Sequence, residues 1–199
     1  MSKRDHQPEQ FDFTLDAVTL APRLLGAIIT TCFDGNLTSG RIVEVEAYRQ
    51  DEPASHCYRG ETRRNASMFR DGGHLYVYFS YGMHHSANIV AGNEGFGEGV
   101  LLRGIEPIDG IDVIRRRRGD RVKDRNLANG PAKLTVALGI GPDLDGADLR
   151  SKNAPLGLAP PPTPIDPQRI TTTPRIGISK AVDLPWRWLL TTPTPEANH

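Results

Sequence analysis

The chain has 199 residues, 38% of them hydrophobic and 24% charged, with 24 basic against 24 acidic side chains and a formal net charge of zero. That length suits one sizeable core. The balance excludes a whole-surface electrostatic grip on a polyanion, so any anionic partner must be met by a local positive patch, and no apolar run is long enough to cross a bilayer.

Residues 1–12 are polar and read as a flexible tail, residues 13–192 as a single domain, and residues 193–199 as a second tail. Residues 19–26 (TLAPRLLG) predict a short helix, with Thr19 as its cap, Pro22 in its first turn and Gly26 at its stop. Residues 27–33 (AIITTCF) are rich in β-branched side chains and predict a strand. Asp34-Gly35-Asn36 is a turn signal, and residues 41–48 follow as the partner strand of a hairpin. Period two places Val43, Val45 and Ala47 on one face of that strand and Ile42, Glu44, Glu46 and Tyr48 on the other. Residues 49–73 form a long polar loop, a length at which loops are often functional. Residues 74–81, 84–90 and 99–105 are further strands. Residues 108–118 read as a helix ending in four arginines, and Gly130-Pro131 starts another helix that Gly139 stops. The proline-rich residues 153–167 are expected to be loop, and residues 169–180 and 186–190 are expected to be the last strands. Strands outnumber helices without regular alternation. The expected fold is α+β: one mixed domain around a curved, largely antiparallel sheet with peripheral helices and long loops.

Two glutamates inside a β-rich segment oppose local propensity, and such conflicts gather at functional sites. Glu46 can serve as a general base, although an edge strand with a solvated polar face explains the pattern as well. Tyr48, Tyr76, Tyr78 and Tyr81 can stack on a planar group, and ordinary core aromatics are the competing explanation. Arg103 stands in the otherwise apolar VLLRGIE and needs an anionic partner: Glu46, Glu44 or a ligand phosphate. His56, Cys57, His74, His84 and His85 invite a metal reading, yet no established zinc spacing is present. The basic segment from Arg115 to Arg125 can track phosphates, and it can equally be a solvated helix face balanced by Asp120 and Asp124. From the residues alone an enzyme, a non-catalytic nucleic-acid-binding module and a metal-dependent hydrolase all stay open.

Taken in order, the segments LAPRLLG (20–26), GRIVEVEAY (40–48), the His56 region, RGETRRNASMF (59–69), LYVYFSYGM (75–83), Asn88-Ile89, VLLRGIEP (100–107), NGPAKL (129–134), PRIGI (174–178) and PWRW (185–188) resemble the alkyladenine (3-methyladenine) DNA glycosylase family over roughly residues 15–190. The resemblance implies a monofunctional base-excision-repair enzyme without metal, cofactor or lyase chemistry. Its substrates would be alkylated or deaminated purines flipped out of duplex DNA: 3-methyladenine, 7-methylguanine, hypoxanthine and ethenoadenine. It implies Glu46 as the base that activates water, with Arg103 and a main-chain carbonyl near Ile176 holding that water. Tyr48 and His56 become the two faces of a base sandwich, Tyr78 closes the pocket edge, and Asn88 crowds the amino group of normal guanine. Tyr81, with Met83 beside it, becomes the wedge that fills the gap in the duplex. The expected protein is a monomer on double-stranded DNA with no membrane contact. It is expected in the cytoplasm (nucleoid-associated if bacterial), since no apolar leader follows MSKRDHQPEQ and the lone Cys32 and Cys57 read as reduced thiols. The chain departs from the family pattern at His84-His85-Ser86-Ala87, where larger apolar residues are usual, and at Arg63, where proline is common.

Overall fold

The computed structural model describes residues 11–80, 84–151 and 154–191. Tyr81 and Met83 therefore lie outside the described residues, as do residues 1–10 of the first expected tail and all of the second. The fold is α+β, with an eight-stranded antiparallel sheet curled into a half-barrel and few helices. Strand β1 (Ile28–Phe33) turns directly into the long β2 (Asn36–Arg49), followed by β3 (Leu75–Ser80), β4 (His84–Val90) and β5 (Glu98–Pro107). Helices α2 (Ile111–Arg118) and α3 (Pro131–Leu138) come next, and then the short β6 (Leu156–Ala159), β7 (Ile170–Thr173) and β8 (Arg187–Leu190). The sheet order is β3-β4-β5-β2-β1-β6. One edge of β2 serves two partners: residues 36–41 pair with β1, and Glu44, Val45 and Glu46 pair with β8, to which β7 adds.

The first hairpin follows from its turn chemistry. Asp34 and Gly35 have φ of 52° and 73°, and two positive φ values in a two-residue loop match the right-handed twist of the flanking strands. Three expectations need correction. The first helix, α1, spans Ala17–Leu20 and continues as a 3-10 turn over Ala21–Leu24. Its cap is Asp16, not Thr19: the Asp16 carboxylate accepts from the amides of Val18 and Thr19, and the Thr19 hydroxyl donates to it as well. The proline-rich stretch 153–167 contains β6, because its proline-free part lies along the open edge of β1. The strand expected over 169–180 ends at Thr173, since Pro174 has no amide to continue the ladder.

The most consequential departure lies in β2 and β5. Between Ile42/Ile105 and Val45/Leu102 the register shifts twice, so that Val43 is extra on β2 and Arg103 is extra on β5. Such irregularities re-aim side chains, and two facing each other leave the ladder in register on either side. Ile42 thus joins Val45 and Ala47 in the core instead of sharing a face with the glutamates, and Ile105 joins Val100 and Leu102. On the other side of the sheet, Glu44, Glu46, Leu101 and Arg103 are left to face away from that core. A second, smaller cluster of Cys57, Met68, Phe69, Tyr76 and Val90 anchors the long loop 50–74 to the sheet. The loop approaches so closely that a Cβ at Gly97 would stand 2.7 Å from the Cys57 side chain.

Candidate active site

Glu46 has no exposed surface. A carboxylate so placed needs donors in place of its hydration, and three of them reach it. The Ile176 amide donates to Oε1 at 2.9 Å; the Tyr48 hydroxyl and Arg103 Nη1 donate to Oε2 at 2.8 and 3.1 Å. Arg103 also donates from Nε to Glu44 at 2.9 Å, and the same Glu44 oxygen accepts from Arg187 Nε at 2.7 Å. The result is a chain of alternating charge, Arg187–Glu44–Arg103–Glu46, that ends on the phenol of Tyr48. Burial works against the Arg103 cation, but the Glu46 and Glu44 carboxylates more than offset it and raise its pKa. Burial, followed by the adjacent Glu46 charge, pushes the Tyr48 phenol well above its ordinary value, so it acts only as a donor.

In front of this cluster opens a cleft of about 650 Å³, lined by Tyr48, His56, Tyr78, Asn88, Arg103 and Ile176 among others. All six were singled out in the sequence. The His56 ring meets Tyr78 edge-to-face at 4.5 Å between centroids, and Tyr78 stacks on Tyr76 at 5.3 Å. The loop backbone at His56 is fixed by Asn65, whose Nδ2 donates to the His56 carbonyl at 2.9 Å. His56 Nδ1 lies 3.2 Å from the Tyr76 hydroxyl; burial, reinforced by nearby Arg64, lowers its pKa and favours the neutral ring. Asn88 uses Nδ2 to reach the Tyr76 carbonyl at 3.3 Å. At Ile176 the main-chain contact to Glu46 is made by the amide.

Several partners were not visible in the sequence. Arg175 and Glu52 form a buried bidentate pair behind Tyr48. The Arg175 guanidinium also lies over the Trp186 ring, Arg187 completes the charge chain, and Arg64 and Lys180 stand at the cleft. The PRIGI and PWRW segments carried the signal, since each places an arginine beside apolar residues. The four-arginine run lines no part of the cleft. Arg115 pairs with Asp124, Arg117 donates to the Ala137 carbonyl at 3.0 Å, and Arg118 donates to the Leu127 carbonyl at 2.9 Å. Among the described residues no three His, Cys, Asp or Glu side chains converge as a metal-ligand set.

The family model described as methylpurine-DNA glycosylase matches residues 11–194. A candidate 3-methyladenine DNA glycosylase of Methanoculleus marisnigri is 49% identical over 177 residues, covering 88% of this chain and 90% of its own. Proteins of the same name from Burkholderia cenocepacia and Carboxydothermus hydrogenoformans are 47% and 44% identical, covering 88% and 92% of this chain and 84% and 94% of theirs.

Proposed function

The chain belongs to the methylpurine-DNA glycosylase family, and from that premise we propose that its cleft receives a damaged purine flipped out of duplex DNA and hydrolyses the N-glycosidic bond with a water activated by Glu46. The observation that carries this reading is the buried Glu46 carboxylate, held by three oriented donors directly behind an aromatic cleft. A carboxylate offers about four acceptor sites, so one remains for a proton of the attacking water.

As the bond between the sugar C1′ and the base nitrogen breaks, its electron pair leaves with the base and positive charge develops on the sugar, as in glycoside hydrolysis. Glu46 stabilises that charge and accepts a proton as the water oxygen bonds to C1′, leaving an abasic site. Arg103, which lines the same cleft, holds Glu46 through Oε2 beside Tyr48. Alkylated purines such as 3-methyladenine and 7-methylguanine already carry positive charge and leave as neutral bases, whereas hypoxanthine and ethenoadenine leave after gaining a proton. Tyr48 and His56 provide the walls of the sandwich, Tyr78 its edge, and the Asn88 carbonyl oxygen disfavours or accepts groups on the purine rim. Tyr81 and Met83, between β3 and β4 in the chain, fill the gap in the duplex. Flipping costs a few kcal/mol, least at poorly paired bases, which adds selectivity. The protein acts as a monomer on duplex DNA and has no lyase step.

The test uses duplex oligonucleotides, each with a single hypoxanthine, ethenoadenine or 7-methylguanine. Strand breaks at the lesion that appear only after alkali are the expected result. Breaks without alkali overturn the monofunctional reading. Lesion binding without release of any base overturns the enzymatic one in favour of a recognition module.

A further inference from the structure

Arg175 is buried, with 4% of its surface exposed. Its Nη1 and Nη2 donate to the two oxygens of Glu52 at 2.7 and 2.9 Å, and Nη1 also donates to the Ala47 carbonyl at 2.9 Å. Its Nε has no hydrogen-bond partner. Leaving a buried donor unmade is costly, so hydrogen bonding alone does not account for where the guanidinium sits. The aromatic contacts do: its Cζ lies 4.5 Å from the ring centre of Tyr48 and 5.3 Å from that of Trp186. The cation thus lies over the faces of both rings, while its bidentate carboxylate fixes its plane.

Tyr48 lines the cleft, and Arg175 does not. One face of the Tyr48 ring is covered by a resident cation, and the face left for a ligand is the other. A ring attracts a cation through the electron density on its faces, an effect worth about 0.5–2 kcal/mol depending on desolvation. Here that density is drawn toward the guanidinium, and a second cation stacked across the ring also meets its repulsion. Glu52 weakens the field at long range, but its bidentate geometry puts it at the edge of the guanidinium and not between cation and ring. A neutral purine stacks through contact area and dispersion, which the guanidinium leaves intact.

We infer that Arg175 is a specificity-determining residue, which biases the pocket toward neutral damaged purines and against cationic ones. The inference rests on the proposed function, because it concerns which damaged base Tyr48 accepts. Arg175 acts through Tyr48 and touches no substrate.

The experiment measures single-turnover release of 7-methylguanine (cationic) and hypoxanthine (neutral) from otherwise identical duplexes by the full chain, by E52Q/R175M and by R175K. The double substitution removes the cation without stranding the Glu52 charge. The cationic-to-neutral rate ratio is expected to rise about fivefold in E52Q/R175M, and in R175K, which keeps the charge, to stay within about twofold of the parent. A merely structural role for Arg175 slows both lesions together and leaves the ratio unmoved; that result in a folded E52Q/R175M overturns the inference. An equal rise in R175K also overturns it, since charge is then not the agent. Should the double variant fail to fold, Arg175→Gln, whose amide still donates to Glu52, carries the same test. An unmodified protein that releases neither base overturns the proposed function, which is a different outcome from an active protein with an unmoved ratio.

Discussion

Arg103 and Arg187 meet on one oxygen of Glu44 although they stand 59 and 143 residues from it in the chain. Arg115, Arg116, Arg117 and Arg118 are neighbours in sequence and part company at once: one goes to an aspartate, two to main-chain carbonyls, and Arg116 to solvent. Dense charge in the sequence is here a helix end neutralising itself, since cations in a last turn complement the helix dipole. Dispersed charge converges where the sheet is irregular and water is excluded. Electrostatic interactions are far stronger in that environment than at the surface, so the two arginine sets should answer mutation very differently.

The sharpest contrast is at the carboxylate. Glu46→Gln keeps shape and loses the base, and is expected to slow base release by roughly 10²–10⁴-fold while lesion binding persists; single-turnover release and gel-shift titration measure the two. Next comes Arg103→Leu, which leaves the buried Glu46 without its cation and Glu44 with Arg187 alone. It should cost about 3 kcal/mol of folding stability, read from the urea midpoint, in addition to the loss of activity. At the other region, Arg117→Ala removes donors to the Ala137 carbonyl and the Thr38 hydroxyl and should cost about 1 kcal/mol in the same titration.

A buried carboxylate without a closely bonded cation sharpens the comparison. Glu98 accepts from the Ala17 amide at 2.9 Å, with Arg49 no nearer than 3.9 Å. Burial raises its pKa above the ordinary value of 4.5. Its protonated form is therefore favoured in the folded state, and the stability this contributes is present below pH 4.5 and lost as the pH rises through the folded pKa. Glu98→Gln does not titrate, so its stability relative to the parent should improve from pH 4 to pH 7 in parallel denaturant melts. A relative stability that falls over that range contradicts the assignment. The smallest effect belongs to Arg116→Ala, which should stay within about 0.5 kcal/mol of the parent; a larger loss would blur the distinction between the two sets.

The same distinction explains what could be read in the sequence. Local chemistry was legible: the Asp34-Gly35 turn, the helix that opens at Gly130-Pro131 and the misfit of two glutamates in a strand each carry their own cause. The family resemblance turned Glu46, Tyr48 and Arg103 from oddities into a set, and the sheet brings Tyr48 and Arg103 within hydrogen-bonding distance of Glu46. Long-range pairing was not legible. Glu52 in a polar loop and Arg175 after a proline each look solvated, and only a contact across 123 residues makes them a buried pair. Strand β6 escaped for a similar reason: its pairing is supplied by the open edge of β1, and its own composition speaks for loop. Asp16 was overlooked as a cap because Thr19, a good cap by type, stands inside the turn that Asp16 closes.

The facing extra residues Val43 and Arg103 also make the length of this region hard to edit. Without Val43 alone, Ile42, Glu44 and Val45 would still alternate inward, outward and inward, and without Arg103 alone Leu102 and Leu101 would do so too, but in each case the other strand would keep an extra residue with none facing it. Removing both would restore an unbroken ladder with a continuous hydrophobic face, yet without the guanidinium that joins the two glutamates. The deletion that is easiest on the sheet is thus the paired one, and it is also the one that dismantles the chemistry.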